Sequence, residues 1–394
     1  MGSDQAPVVA PLTALVICAL LVLMQLYMAI PLAPIVGADL GAAGASAALA
    51  TAFGIPYAVG FLIYGPLSDH YGRKAILVPG MAALAVITAV LALAPSLPAV
   101  GSLRALQGLV AVSFSPVALA YLSEALPPRW RTTAIGAVST AYMVAGIAGQ
   151  VYASAVALAW GWRWTFGLAA VALGVVALAL MAILREPPRS SGAATLAQRF
   201  RQLGALVRQR ALALPCLSAF TMLLTFVAMY SALGPHLQAR FDLAPDAVLL
   251  VRLAGLPGML VAPLAGALAG RFGLARVAIT GFLVAAVGLA IEALASATLW
   301  ALVLASVVFV AGIATTVPAM IALFGARAGQ ARAAGIALNG FMLFLGASAG
   351  PFLVELPLEF AALLAVLAVI LACGAGLVAL STPSSRSPAS PARR

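Results

Sequence analysis

The chain has 394 residues, of which 64% are hydrophobic and only 8% charged, with a formal net charge of +11. Soluble domains carry roughly 25% charged residues, so a water-solvated globule is excluded. No loop is long enough to hold a soluble catalytic domain, and the basic balance follows the topology of the apolar runs rather than a nucleic-acid footprint.

About 20 apolar residues cross a bilayer core. Twelve such runs are predicted, at 12–36, 46–67, 75–95, 98–121, 132–157, 163–184, 211–234, 247–270, 275–296, 299–324, 332–354 and 358–380. The first has no basic n-region and is followed by eleven more, so it reads as a span and not as a cleavable signal. Cys18, Cys216 and Cys373 lie inside apolar runs and read as packing residues without a disulfide framework.

The one long connection divides the chain into an N-terminal six-span unit (1–184), a basic cytoplasmic linker (185–210), a C-terminal six-span unit (211–380) and a Ser- and Pro-rich tail (381–394), predicted to be disordered. The linker opens with Glu186-Pro187-Pro188, which stops the preceding helix. It ends in an Arg-rich stretch from Gln198 to Arg210, read as a charged tether, with a surface helix on anionic lipid as the alternative. With the N-terminus in the cytoplasm, 17 of the 21 Lys and Arg fall in the inner loops and tail. Only Arg104, Arg163, Arg240 and Arg252 remain for the outer half, an asymmetry that predicts both termini in the cytoplasm.

Polar residues sort the spans. The third, sixth, ninth and twelfth have almost none in their interiors and read as lipid-facing; the ninth has Glu292 near one end. The first, second, fourth, fifth, seventh, tenth and eleventh carry buried polar groups, which need partners or water at membrane depth. Gln25, Tyr27, Tyr57, Phe114, Tyr142, Gln150 and Asn339 are therefore the candidate cavity residues. Arg104 lies about six residues into the fourth span, or ~9 Å along a helix. A charge at the centre of a span costs ~2.5–3.5 kcal/mol, so Arg104 needs a partner or a wet cavity. Gln107 and Gly108 share its helix face. Arg252, at similar depth in the eighth span, is expected to pair with Asp242 or Asp246. None of the ten acids falls near the centre of a predicted span, which leaves Asp39, Asp69 and Glu355 as titratable candidates.

The two halves repeat at an offset of 201: Gly65, Leu67 and Gly72 correspond to Gly266, Leu268 and Gly273, and Arg131, Ile135 and Gly149 to Arg332, Ile336 and Gly350. Parallel six-helix repeats with a midplane site between them are a transporter architecture. The turn after the second span reads Gly65-Pro-Leu-Ser-Asp69-His-Tyr-Gly72-Arg73-Lys74. Gly72 supplies the free φ of a tight turn, and Asp69 and Arg73 can reach one another across it. In the second copy Gly270 stands where Asp69 does, so any ion-pair latch is one-sided.

In this turn, and over essentially all twelve spans, the chain resembles the major facilitator superfamily, whose signature is Gly-x-Leu-(Ser/Ala)-Asp-x-x-Gly-Arg-(Lys/Arg). The resemblance implies an all-α integral membrane fold, twelve transmembrane helices in two six-helix bundles. It also implies gating roles for Gly65, Asp69, Gly72, Arg73, Lys74, Glu124 and Arg131, with Asp69 and Arg73 contacting the start of the eleventh helix near Arg332. Arg104, Gln107 and Gly108 are similar to the family's Arg-x-x-Gln-Gly element, which implies a coupling role. Arg104-Ala-Leu-Gln-Gly and Gly161-Trp-Arg-Trp-Thr-Phe166 look like the bacterial drug:proton antiporters and their sugar-efflux relatives. The expectation is a monomeric carrier of small molecules in a bacterial inner membrane, surrounded by lipid and exporting amphipathic or cationic compounds against protons. A carrier of sugars or neutral metabolites, or a uniporter, is the alternative. Catalytic residues, metal ligands and cofactors are not expected: the chain has no phosphate loop and only two His residues.

Overall fold

The computed structural model describes residues 6–41, 44–187, 196–207, 209–262 and 264–382. Most of the basic linker's first half (188–195), residue 208 and the tail from 383 onward lie outside them. Among the described residues the chain is helical without strands, with 11 helices long and apolar enough to cross a membrane. A twelfth span is a broken one, Pro245–Met259 followed by Leu264–Phe272, bent by 40°.

The helices are α1 (Ala6–Tyr27), α2 (Ala29–Leu40), α3 (Ala52–Tyr71), α4 (Arg73–Leu91), α5 (Leu97–Ala111), α6 (Ser115–Ala125), α7 (Pro128–Trp160) and α8 (Trp162–Ile183), then the linker helix α9 (Leu196–Val207). The second half holds α10 (Arg210–Phe241), α11 (Pro245–Leu253), α12 (Leu256–Met259), α13 (Leu264–Phe272), α14 (Leu274–Leu294), α15 (Leu299–Arg327), α16 (Arg332–Val354) and α17 (Phe360–Leu380).

Several apolar runs are broken where the sequence reading had them continuous. The first run splits at Met28 between α1 and α2, and a π turn at Ala47–Thr51 leads into α3. The fourth breaks between α5 and α6, where Pro116 opens the new helix, and the eighth breaks at α12, which opens with Pro257. Proline has no N–H to donate and clashes with the preceding turn, so a helix restarts around it. Broken helices inside a membrane survive only where neighbours re-satisfy the freed backbone groups.

Lipid-facing stripes are plain. On α8, Trp164, Leu168, Val171, Val175 and Leu178 are exposed at spacings of three and four, the helical repeat of one face. Val86 and Val90 on α4, and Val366 and Val369 on α17, do the same. The ninth span is a partial correction: on α14, Leu283, Val287 and Ile291 face outward, but Glu292 turns inward and is fully buried.

The signature turn joins α3 to α4 through Gly72 at φ 108°, and its repeat joins α13 to α14 through Gly273 at φ 88°, so the duplicated sequence makes a duplicated turn. Helix α9 lays Leu203 and Leu206 into the protein and packs on α3 and α16, so the second half of the linker is docked.

The close approach of α3 and α5 depends on Gly108, whose missing Cβ would press on the Phe53 carbonyl. Gly108→Ala is expected to cost about 1–3 kcal/mol by forcing the helices apart. Gly136→Ala, at a helix position with open space around it, should be neutral or stabilising by up to ~1 kcal/mol. Thermal unfolding in detergent of the two variants side by side checks this; equal melting temperatures would refute it.

Candidate functional site

Three polar constellations and one cleft sit among these helices. The first surrounds Arg104, which is completely buried and does not snorkel. Its Nε donates to the Leu49 carbonyl at 2.7 Å, and its Nη1 to the Gln25 carbonyl at 2.9 Å and to Gln107 Oε1 at 2.6 Å. The acceptors exist because the helices are broken there. Leu49 lies in the π turn, and Gln25 in the last turn of α1, where carbonyls lose their ladder partners. Gln107 Nε2 donates onward to Gln25 Oε1 at 3.1 Å and Thr88 Oγ1 at 2.8 Å. The guanidinium stacks 4.3 Å over the Phe53 ring. Its Nη2 has no hydrogen-bond partner among the described residues.

The second constellation is the signature turn. Arg73 forms an ion pair with Asp69 and a forked pair with Glu124, Nη2–Oε1 2.7 Å and Nε–Oε2 3.1 Å, and its Nη1 donates to Ser68 Oγ at 2.6 Å. Forked guanidinium–carboxylate pairs fix orientation as well as charge. The sequence reading missed Glu186, taken there only as a helix stop. Its carboxylate accepts the backbone N–H of Arg73 at 2.6 Å and of Lys74 at 2.9 Å, capping the positive end of α4. Lys74 Nζ donates to the last carbonyls of α8, Met181 at 2.9 Å and Leu184 at 2.6 Å. Arg131 Nε donates to the Leu126 carbonyl at 2.9 Å. Arg332, near which Asp69 and Arg73 were expected to dock, lays its side chain against Gly325 of α15. The ends of α3, α4, α6 and α8 at this turn are thus tied together.

The third constellation spans the two halves. Arg252 is buried, and its Nη1 donates to Gln150 Oε1 at 2.5 Å. This corrects the expected pairing with Asp242 or Asp246: the broken eighth span turns the guanidinium toward α7 instead. Elsewhere between the halves, Thr51 Oγ1 donates to the Ser348 carbonyl at 2.9 Å, Tyr57 packs edge-on to Phe344 at 4.6 Å, and Phe61 stacks on Phe344 at 5.4 Å. These contacts of α3 with α16 and of α7 with α11 form a seam.

A narrow, half-open cleft of about 10 Å³, barely room for one water, lies between the halves, lined by Tyr27, Tyr142, Met143 and Gly146 on one side and Leu223, Phe226, Met259, Ile313 and Val317 on the other. Tyr27 and Tyr142, expected to face a cavity, line this cleft together with Met143, Phe226 and Met259, which in the sequence read as ordinary core. Tyr57 is close by: its hydroxyl and Ser115 Oγ are 2.6 Å apart, and Tyr142 donates to the Ser115 carbonyl at 3.4 Å. Gln25 and Gln150, expected in the cavity, have their amides engaged by the Arg104 cluster and by Arg252. Phe114 is buried at the break before α6, and Asn339 is buried on α16 with Oδ1 unpartnered among the described residues.

A profile of the Major Facilitator Superfamily matches residues 15–351. The chain belongs to the Major Facilitator Superfamily. The inner membrane transport protein YnfM of Escherichia coli K12 is 27% identical over 256 residues, which cover 63% of this chain and 60% of that relative, less than two thirds of its length. The crystal structure of the human organic anion transporter MFSD10 (TETRAN) superposes with TM-score 0.67 at 16% identity, covering 94% of this chain and 99% of that one. A bacterial homolog to the human lysosomal transporter Spinster, crystallised inward-facing and unoccupied, gives TM-score 0.66 at 16% identity, covering 96% of each. At that identity the two structures speak for the fold, which is the major facilitator fold. The chain is accordingly a multi-pass membrane protein of this superfamily.

Within this superfamily member, Asp39 loses its standing as a titratable candidate. Its Oδ2 accepts Trp162 Nε1 at 2.9 Å and Arg163 Nη1 at 2.8 Å, and these bonds hold its carboxyl below the usual carboxylate range. A lowered folded value means that the contact's contribution to stability is present above the ordinary value near 4 and is lost only as the pH falls through the folded one. Asp39→Asn should therefore leave the pH profile of transport unchanged between about pH 5 and 8; a profile displaced in that window would return Asp39 to the mechanism.

Gln150→Ala removes the acceptor of a buried guanidinium, a loss of about 1–3 kcal/mol or more in the conformation that makes this bond. That shifts a two-state equilibrium about tenfold away from the seam-closed form. Spin labels at Leu158 and Leu250, both exposed on the two helices concerned, should report a longer α7–α11 distance in the variant. An unchanged distance distribution would show that the bond does not hold the seam.

Proposed function

We propose that this protein is a transporter that exports small amphipathic compounds against protons by alternating access, with two rigid bundles, 1–184 and 211–380, rocking about the central cleft. The observation that carries the reading is the cleft lining. It offers aromatic and thioether surface with two tyrosine hydroxyls and no charged side chain. Thioethers and rings adapt to apolar ligands of varied shape. A sugar would ask for several fixed hydrogen-bonding groups, and the amides that might have supplied them, Gln25, Gln107 and Gln150, are committed to two buried arginines. Apolar and aromatic solutes are therefore favoured over sugars, and weakly cationic ones find the tyrosine faces.

In this reading Asp69, Arg73 and Glu124 act as the inner gate: their ion pairs hold three helix ends in one arrangement, and a second arrangement must break or remake them. Arg104, with Gln107 and Gly108 beside it, is the coupling element, a permanent charge whose neighbours are backbone carbonyls rather than a carboxylate. Both termini and the linker 185–210 face the cytoplasm by the distribution of Lys and Arg, and the protein works as a monomer in a bacterial inner membrane.

Purified protein in proteoliposomes, loaded with a pH-sensitive dye, tests this. Adding an amphipathic fluorescent substrate should trigger proton movement, and an imposed pH gradient should drive substrate movement. Asp69→Asn should reduce both, roughly tenfold or more if the gate's charge is needed in the rate-limiting state. A response to sugars alone would replace the substrate class, and substrate movement without proton movement would remove antiport.

A further inference from the structure

Among the described residues Glu292 is the one acid that is buried completely, near the end of its span. It stands two residues before the end of α14, with both carboxyl oxygens inaccessible and without a hydrogen-bond partner among the described residues. An ionised carboxylate in that position is costly twice over. It has given up water without gaining a donor, a penalty of several kcal/mol, and it sits at the negative end of the α14 dipole. A carboxyl that is neutral in one state of the protein and ionised in another would meet these constraints.

A tyrosine stands between this group and a second buried charge. Tyr230 of α10 is within electrostatic reach of both Glu292 and Arg252. Its hydroxyl lies 2.5 Å from where a Cβ on Gly255, three residues beyond Arg252, would stand, and Arg252 Nη2 lies 2.9 Å from where a Cβ on Gly234, one turn along α10, would stand. Arg252 has an unused donor, its buried Nε, and spends Nη1 on Gln150 across the seam. A carboxyl without donors, a tyrosine and a guanidinium with a spare donor thus form a row from α14 through α10 to α11, and the row ends at the contact between the halves.

Other charges are remote or already engaged. Of the helices around α14, α15 carries only Arg327 and α13 only Arg271, both at the opposite end, and α17 carries only Cys373, more than halfway along it. Arg276 is at the far end of α14 itself. On α10, His236 bonds the Ser296 carbonyl at 2.9 Å and stacks on Phe360 at 3.9 Å, while Arg240, like the loop acids Glu355 and Glu359, is exposed.

We propose that Glu292 is a proton-binding carboxyl whose ionisation controls the Arg252–Gln150 bridge. With the proton on, Glu292 is a neutral acid, Arg252 turns to Gln150 and the seam is closed, as in the structure. Loss of the proton to the nearby outer aqueous phase leaves a carboxylate. Its charge draws the guanidinium, which stays protonated throughout, toward Tyr230 and Glu292 and away from Gln150, and the seam is released. The proposal rests on the antiport reading for its purpose, since it would make proton release the event that opens the outer side. Its chemistry is that of the protein alone and can be tested without a substrate.

The experiment is a pH titration of the detergent-purified protein by infrared difference spectroscopy, with the Leu158–Leu250 spin-label distance followed over the same range. Wild-type protein should show a protonated-carboxyl absorption that disappears as pH rises, together with a lengthening of the distance. Glu292→Gln, which mimics the neutral acid in size and shape, should lose the absorption and hold the short distance at every pH. Glu292→Asp should restore a titrating band, and Tyr230→Phe should weaken the distance response while keeping the band. A band that survives in Glu292→Gln, or a distance that still follows pH in that variant, would overturn the proposal. Proton-driven substrate flux is a separate measurement: if it is absent while the titration behaves as stated, antiport fails and the proton-controlled bridge stands.

Discussion

A guanidinium shut inside an apolar bundle must find acceptors, and much of the N-terminal half is arranged to supply them. Arg104 has no carboxylate among its hydrogen-bond partners; two backbone carbonyls and one amide satisfy it. Backbone carbonyls are free only where a helix ladder is interrupted. The break after α1 and the π turn before α3 are therefore parts of the same device as the arginine. The Gln107 amide extends it to Thr88 on α4, so four segments share one polar centre while their outer faces remain apolar. An unshared buried charge would cost more than the packing around it returns.

The second half meets a similar demand differently. Arg252 also lies in a broken span and is also buried, but its acceptor, Gln150, belongs to the other half. A charge satisfied within one bundle stabilises that bundle; a charge satisfied across the seam stabilises one relative position of the two. The pseudo-symmetric fold therefore holds two buried arginines with different consequences, one for integrity and one for conformation. The signature turn adds a third solution: Arg73 is paired among exposed or half-exposed acids, where each bond is weak and easily remade. Strong satisfaction in the interior and weak satisfaction at the rim fit the proposed movement of the halves, in which each stays intact.

The helices and the signature turn were legible in the sequence, because a bilayer imposes a length and an apolarity on every span, and because Gly72 and Asp69 stand in the spacing of a tight charged turn. Arg104 was legible as a charge that needed something, though not what. Glu186 was not legible as a cap: 113 residues separate it from the backbone amide it accepts. Gln25 and Gln150 were misplaced because an amide at membrane depth reads equally well as a ligand for a solute or for a neighbouring arginine. Glu292 reads as a helix-end acid, since position along the chain fixes depth but not which way a side chain turns.

Composition, run lengths and the repeat at an offset of 201 residues determined the number of spans, their duplication and the signature turn, because hydropathy and backbone geometry are local quantities. Which polar groups meet was decided by the tertiary structure alone. Arg104 with Gln25, Arg252 with Gln150 and Glu292 with no donor among the described residues depend on how far each helix is broken, tilted and rotated against the next. A rotation of one residue, about 100° of helix, exchanges a lipid-facing position for a buried one without changing any property that the sequence displays.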